Sequence, residues 1–229
     1  MARDPHFSPT FFEFLGELRD NNSREWFQDN KERYQAVVRE PLLRFISDFS
    51  GPLQEISPFF VADPRPTGGS MFRIYRDVRF SKNKSPYKTH AAAQFRLRAG
   101  RDAHAPGFYP HIEPGSVFAG AGLWHPERAT LEHIRTAIVE APATWSEVLN
   151  DGHFAAHHEL GGESLKRAPR GYDPDHPLIE DLKRKDFICI ERFSQTKACR
   201  AGFLDEFTAS CQAAAPFVRF LTEAVGQEF

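Results

Sequence analysis

Between residues 71 and 124 the apolar side chains stop recurring at three- and four-residue intervals and begin to alternate with polar ones. That change of period limits the folds open to the chain, because a helix presents one face every 3.6 residues and a strand every two. Residues 71–80, 90–98, 107–113 and 116–124 read as short strands joined by turn chemistry, as in an antiparallel meander. On either side the spacing is helical. Ser8-Pro9 supplies a cap and a first-turn proline, and Phe11, Phe14, Leu15 and Leu18 share one face. Asn22 and Glu25 have the spacing of a capping box for a second helix. Its apolar stripe runs from Trp26 through Tyr34, Leu42 and Phe49, bent at Pro41. Residues 50–70, rich in Pro and Gly, read as a loop.

After the strands, Pro126 opens a helix carrying Leu131, Ile134 and Ile138, and a short helix follows around Trp145. Residues 151–177 read as irregular, 187–193 as another strand, and the tail from Phe203 to Leu221 as an amphipathic helix. The expectation is one α+β domain over residues 1–229. A central antiparallel β-meander (71–124) carries N-terminal helices (8–50) and a mainly helical C-terminal part (126–229) packed on it.

With 229 residues, 41% apolar and 26% charged, the chain can bury one substantial core. No apolar run approaches the ~20 residues that span a bilayer. The N-terminal residues lack a signal-peptide pattern, and Cys189, Cys199 and Cys211 are odd in number with no C-x-x-C spacing. A cytoplasmic protein without a membrane partner is expected.

The net charge of −2 hides one strongly basic element. Residues 71–101 hold Arg73, Arg76, Arg79, Lys82, Lys84, Lys88, Arg96, Arg98 and Arg101 against a single acid, Asp77. A local positive field in an otherwise acidic chain favours an anionic partner, unless acids from elsewhere neutralise it. As a hairpin, this element places Phe72, Ile74, Val78 and Phe80 on one face, with Arg76 among them, opposite Ala91 or Ala93. A guanidinium there needs a carboxylate or a bound anion. Arg73 and Arg79 fall about 20 Å apart along such a strand, too far for one small phosphate. The loop SKNKSPYKT is not a P-loop, but Lys82, Lys84, Lys88 and the Tyr87 hydroxyl are donors suited to phosphate oxygens.

Tyr109, His111 and Glu113 alternate, so they share a strand face that His90 can join. Two histidines and a glutamate suit either a metal or acid–base work, and the same spacing also describes a solvated strand face. The acid–base reading is carried forward: His90, His111 and Glu113 are the candidate catalytic residues, and no motif implies a metal or cofactor. His153, His157 and His158 do not form H-E-x-x-H and read as surface residues. Lys166, Arg167 and Arg170 form a second basic cluster, able to complete an anion site or simply solvated, and Lys166 and Arg170 are carried forward as ligand-binding candidates.

The stretches FLGELRDNNSREWF, FRIYRDVRFSKNKSPYKTH, GFYPHIEPG, GLWHP and LKRAPRGYDPDHP cover most of the chain in order. In them the sequence resembles an uncharacterised microbial family, domain of unknown function 2461, whose central motif often has Asp at the place of Asn83. The resemblance implies no activity or cofactor and points to the same basic element. The residues favour binding of an anionic, phosphate-bearing ligand through Arg73, Arg76, Arg79, Lys82, Lys84, Tyr87, Lys88, Tyr109, Lys166 and Arg170, in an enzyme or a binding domain. A nucleic-acid module is the second reading, opposed by a pI near 6.6, and a protein adaptor the third.

Overall fold

The computed structural model describes residues 4–98 and 105–229; Arg101, counted in the basic element, lies outside them. Four helices open the chain: α1 (Pro9–Asp20), α2 (Arg24–Asp29), α3 (Lys31–Tyr34) and α4 (Glu40–Ile56). Gln35–Arg39 widen into a π turn before α4. The Pro41 ring would clash with the carbonyl of Val37 four residues back, and the wider turn relieves that clash. The expected loop after residue 50 begins later, because α4 continues through Gly51-Pro52. Phe49 and Leu53, both fully buried, fix that last stretch against the core. Burying two such side chains is worth about 2 kcal/mol each, enough to offset the ~3 kcal/mol penalty of an interior proline.

The sheet comprises β1 (Phe60–Val61), β2 (Ala91–Ala92), β3 (Phe95–Leu97), β4 (Gly107–Glu113), β5 (Ser116–Leu123), β6 (Glu159–Gly161) and β7 (Phe187–Phe193). It is antiparallel in the order β1-β3-β4-β5-β7-β6, with β2 also paired to β4. The remaining helices are α5 (Arg128–Glu140), α6 (Pro142–Asn150), α7 (Gly152–His157), α8 (Ile179–Leu182), α9 (Gln195–Ala198) and α10 (Phe203–Ala224). α10 and α4 cover one face of the sheet, where Phe45, Phe49, Phe95 and Phe207 pack ring against ring. The meander-with-helices architecture is therefore present. Among the described residues no helix is long and apolar enough to cross a membrane.

Alternation along β4 sends Phe108 and Ile112 into that core and leaves Tyr109, His111 and Glu113 on the opposite face. The chain between residues 70 and 90 lies over part of this second face, with Phe72 against Tyr109 and Thr89 bonded to Glu113.

Several elements differ from expectation. Residues 71–80 form no strand, only isolated bridges from Met71 to Ala93 and from Tyr75 to Tyr87. The Asp77 carboxylate accepts the backbone N–H of Arg79, and Asn83 Oδ1 that of Ser85, so side chains turn the chain where a ladder would have continued. The expected strand 90–98 divides into β2 and β3 opposite Pro110, which has no N–H to donate. The 151–177 stretch contains α7, capped by Asp151, and β6. The cap of α2 is Ser23, not Asn22.

Candidate functional site

The four residues thought able to share a face do converge. A ring nitrogen of His90, one of His111 and a carboxylate oxygen of Glu113 lie within 4.8 Å of one another. β4 delivers His111 and Glu113 two residues apart, and His90, just before β2, arrives opposite them because Ala92 pairs with His111. The His111 ring stacks on Phe118 of β5 at 4.5 Å and leans against His90 at the same distance.

Hydrogen bonds hold two of the three in place. Thr89 Oγ1 donates to Glu113 Oε1 at 2.7 Å. Glu113 Oε2 accepts from His111 Nε2 at 3.2 Å, while His111 Nδ1 faces the Tyr109 hydroxyl at 3.0 Å. His90 makes no hydrogen bond among the described residues. Burial lowers the pKa of His90 to about 4, and the charges of His111, Lys88 and Arg76 act in the same direction against the pull of Glu113. Burial lowers that of His111 as well, partly opposed by its bond to Glu113. Burial works to raise Glu113, but the bonds from Thr89 and His111 outweigh it and the net shift is downward. Tyr109 is pushed up to about 12, by burial first and by the Glu113 charge second. The cluster is thus two neutral imidazoles, one carboxylate and one phenol at neutral pH, a set of nitrogen and oxygen lone pairs with few protons to give.

The basic element divides around this cluster. Arg76 does not sit opposite Ala91 or Ala93, and of its expected apolar face only Ile74 is buried; Phe72 is exposed and Phe80 is 95% exposed. The face assignment fails because residues 76–86 leave the sheet once the local turns form. Arg76 lines a cavity of about 260 Å³ with Arg24, Gln28 and Tyr87. Among the described residues its guanidinium makes one long 3.5 Å approach to the Ser85 carbonyl and has no carboxylate partner. Arg73 and Arg96 line a neighbouring cavity of about 390 Å³ beside Phe72. Lys88 donates to the Arg73 carbonyl at 2.9 Å and lies over the Phe72 ring, and burial, reinforced by Arg73, lowers its pKa.

Other candidates do something else. Arg79 is paired to Asp77, and Lys84 donates to the Val78 carbonyl. Lys82 is exposed. Tyr87 is no loop-tip donor: it is 2% exposed, stacked on Phe27 at 4.1 Å, and clamped at both backbone groups by the Asn22 amide. A large aromatic side chain gains more from that pocket than from solvent, and Asn22, expected as a cap, holds it there. Lys166 and Arg170 are exposed. Asn83 makes a turn, its Oδ1 accepting the Ser85 N–H, that an aspartate at this position would make equally well.

A family model described as a conserved hypothetical protein (DUF2461) matches residues 10–220. The chain belongs to this family. No curated protein and no solved structure matches it. The match takes in every residue of the His–Glu cluster and of the basic segment, so both lie inside the DUF2461 unit.

Sequence reasoning missed a second histidine–carboxylate pair in this DUF2461 member. Asp186, 1% exposed, accepts the backbone N–H of His125 at 2.7 Å and that of Glu163 at 2.8 Å, and lies 3.1 Å from His125 Nδ1. His125 adopts φ +49°, a left-handed backbone that Asp186 holds. Gly162 leaves room for it, since a Cβ there would lie 2.4 Å from the Asp186 Cβ. No spacing rule announces the pair, because its members are 61 residues apart. His158, expected at the surface, is buried against Ser210, and burial lowers its pKa.

Proposed function

We propose that this DUF2461 member binds a phosphate-bearing anionic ligand on the open sheet face, over the His90–His111–Glu113 cluster, with Arg76, Lys88 and the Arg73–Arg96 cavity as its cationic rim. The observation that carries the reading is Arg76: a half-buried guanidinium beside a cavity, with no carboxylate partner among the described residues and one long carbonyl contact. A buried cation without a counter-charge is costly, and an anion in the cavity relieves that cost through charge-assisted bonds. The cluster beside it supplies lone pairs able to take or pass a proton. A nucleic-acid rail along 71–80 loses support, because no strand sets Arg73 and Arg79 along one line and Arg79 already has Asp77.

The test is a thermal-shift and calorimetric titration with inorganic phosphate, pyrophosphate and phenyl phosphate. The native protein is expected to gain stability with ligand concentration, and Arg76→Ala to weaken the phosphate ligands about tenfold, the scale of one charged hydrogen bond. Absence of any shift with all three removes the reading. A shift only with mixed-sequence single-stranded DNA, declining steeply with salt, moves it to nucleic acid.

A further inference from the structure

We infer that His90, His111 and Glu113 form a binding site for one divalent first-row transition ion, of the kind represented by zinc, at the floor of the proposed anion site. The donor set is two imidazole nitrogens and one carboxylate oxygen, which suits zinc, cobalt or iron and not magnesium or calcium, whose sites are built from oxygen. The inference rests on the proposed function for its surroundings, but its own evidence is the cluster alone.

Three observations carry it. The first is spacing. A tetrahedral centre with bonds of ~2.0–2.1 Å sets its ligand atoms roughly 3.4 Å apart. His111 Nε2 and Glu113 Oε2 already stand 3.2 Å apart. The whole set lies within 4.8 Å, so a turn of the His90 side chain closes the third edge.

The second observation is the outer shell, which is already built. A ligating histidine needs a partner for its other nitrogen, to fix the ring and its tautomer, and a ligating carboxylate needs its remaining oxygen held. Tyr109 O–H faces His111 Nδ1 at 3.0 Å, and Thr89 Oγ1 holds Glu113 Oε1. Without an ion, His111 Nε2–H donates to Glu113 and Nδ1 accepts from the phenol. With an ion, the proton sits on Nδ1 and is donated to the phenol oxygen, which accepts as readily as it donates. Nε2 and Oε2 are then both free to turn their lone pairs inward. Acid–base work by a His–Glu pair does not require the far side of both groups to be held in this way.

The third observation is His90 itself. It is half-buried, has no hydrogen-bond partner among the described residues, and lies with a ring nitrogen near the other two ligands. The two imidazole rings lie 4.5 Å apart, centroid to centroid, so that both can turn a nitrogen toward one shared point. Three protein ligands leave at least one open position.

The experiment is titration of zinc and cobalt into chelator-treated full-length protein, with magnesium as control. Calorimetry reads the stoichiometry, and the cobalt d–d absorption reports nitrogen and oxygen ligation. One zinc per chain is expected, with no magnesium uptake at the same concentrations. His111→Ala and Glu113→Ala are expected to weaken zinc at least a hundredfold. His90→Asn is the companion variant: the His90 side chain has no hydrogen-bond partner among the described residues, so its loss is expected to spare the fold and still remove a ligand. Failure of the native protein to take up zinc overturns the proposal. So does zinc uptake unchanged in folded His90→Asn protein, which would place the ion on other histidines. Inorganic phosphate titrated into the metal-free protein separates the two readings. Phosphate binding without zinc binding leaves the anion site and removes the metal; one zinc per chain without any phosphate response does the reverse.

Discussion

Two of the protein's histidine–carboxylate pairs, His125–Asp186 and His111–Glu113, are built in opposite ways. Asp186 is sealed from solvent, and both its oxygens are used: Oδ1 by the His125 backbone and ring, Oδ2 by the Glu163 backbone. Its work is to bind the loop before α5 and the turn after β6 to the start of β7, and it holds His125 in a strained conformation. Glu113 is half-exposed, with one oxygen tied to Thr89 and the other turned toward His111 and His90. In the first pair the carboxylate is saturated by backbone donors and the histidine points outward. In the second the carboxylate keeps a lone pair in reserve and the histidines are the buried partners. What separates a staple from a site is therefore how many of its lone pairs are already committed, not which residue types are present.

Asp186→Ala is the strongest way to break the comparison. It leaves the His125 and Glu163 N–H groups without their acceptor, a loss of about 3 kcal/mol by the usual cost of unpaired buried donors. Urea denaturation should show a lower midpoint at unchanged m-value, with zinc affinity intact. A loss of zinc binding equal to that of His111→Ala would show that the two regions are not independent.

Tyr109→Phe sharpens the comparison from the other side. It removes the hydroxyl behind His111 and nothing else, so zinc affinity should fall about tenfold while thermal stability stays near native. If stability falls and zinc affinity does not, Tyr109 is a structural partner of His111. Arg79→Ala should do least. The guanidinium is exposed and paired to Asp77 two residues back, so neither stability nor the phosphate response should move measurably. A weakened phosphate response in that variant would shift the anion site from the cluster to the loop tip.

The change of hydrophobic period at residue 71, the caps and the apolar stripes were enough to fix the helices at both ends, β4, β5 and β7, and the α+β class, because those signals are local. They also fixed that Tyr109, His111 and Glu113 share a face, since alternation along a strand is set by the backbone. The sequence could not say where Arg76 points. That depended on side-chain turns at Asp77 and Asn83, which pull the basic segment off the sheet, and on Asn22 and Phe27, more than fifty residues away, which draw Tyr87 inward. Nor could it pair His125 with Asp186, or show that Tyr109 and Thr89 complete the shell of His111 and Glu113. Those arrangements rest on register between strands and on which lone pairs remain unused after packing, and both are settled only when distant parts of the chain compete for the same donors and the same buried space.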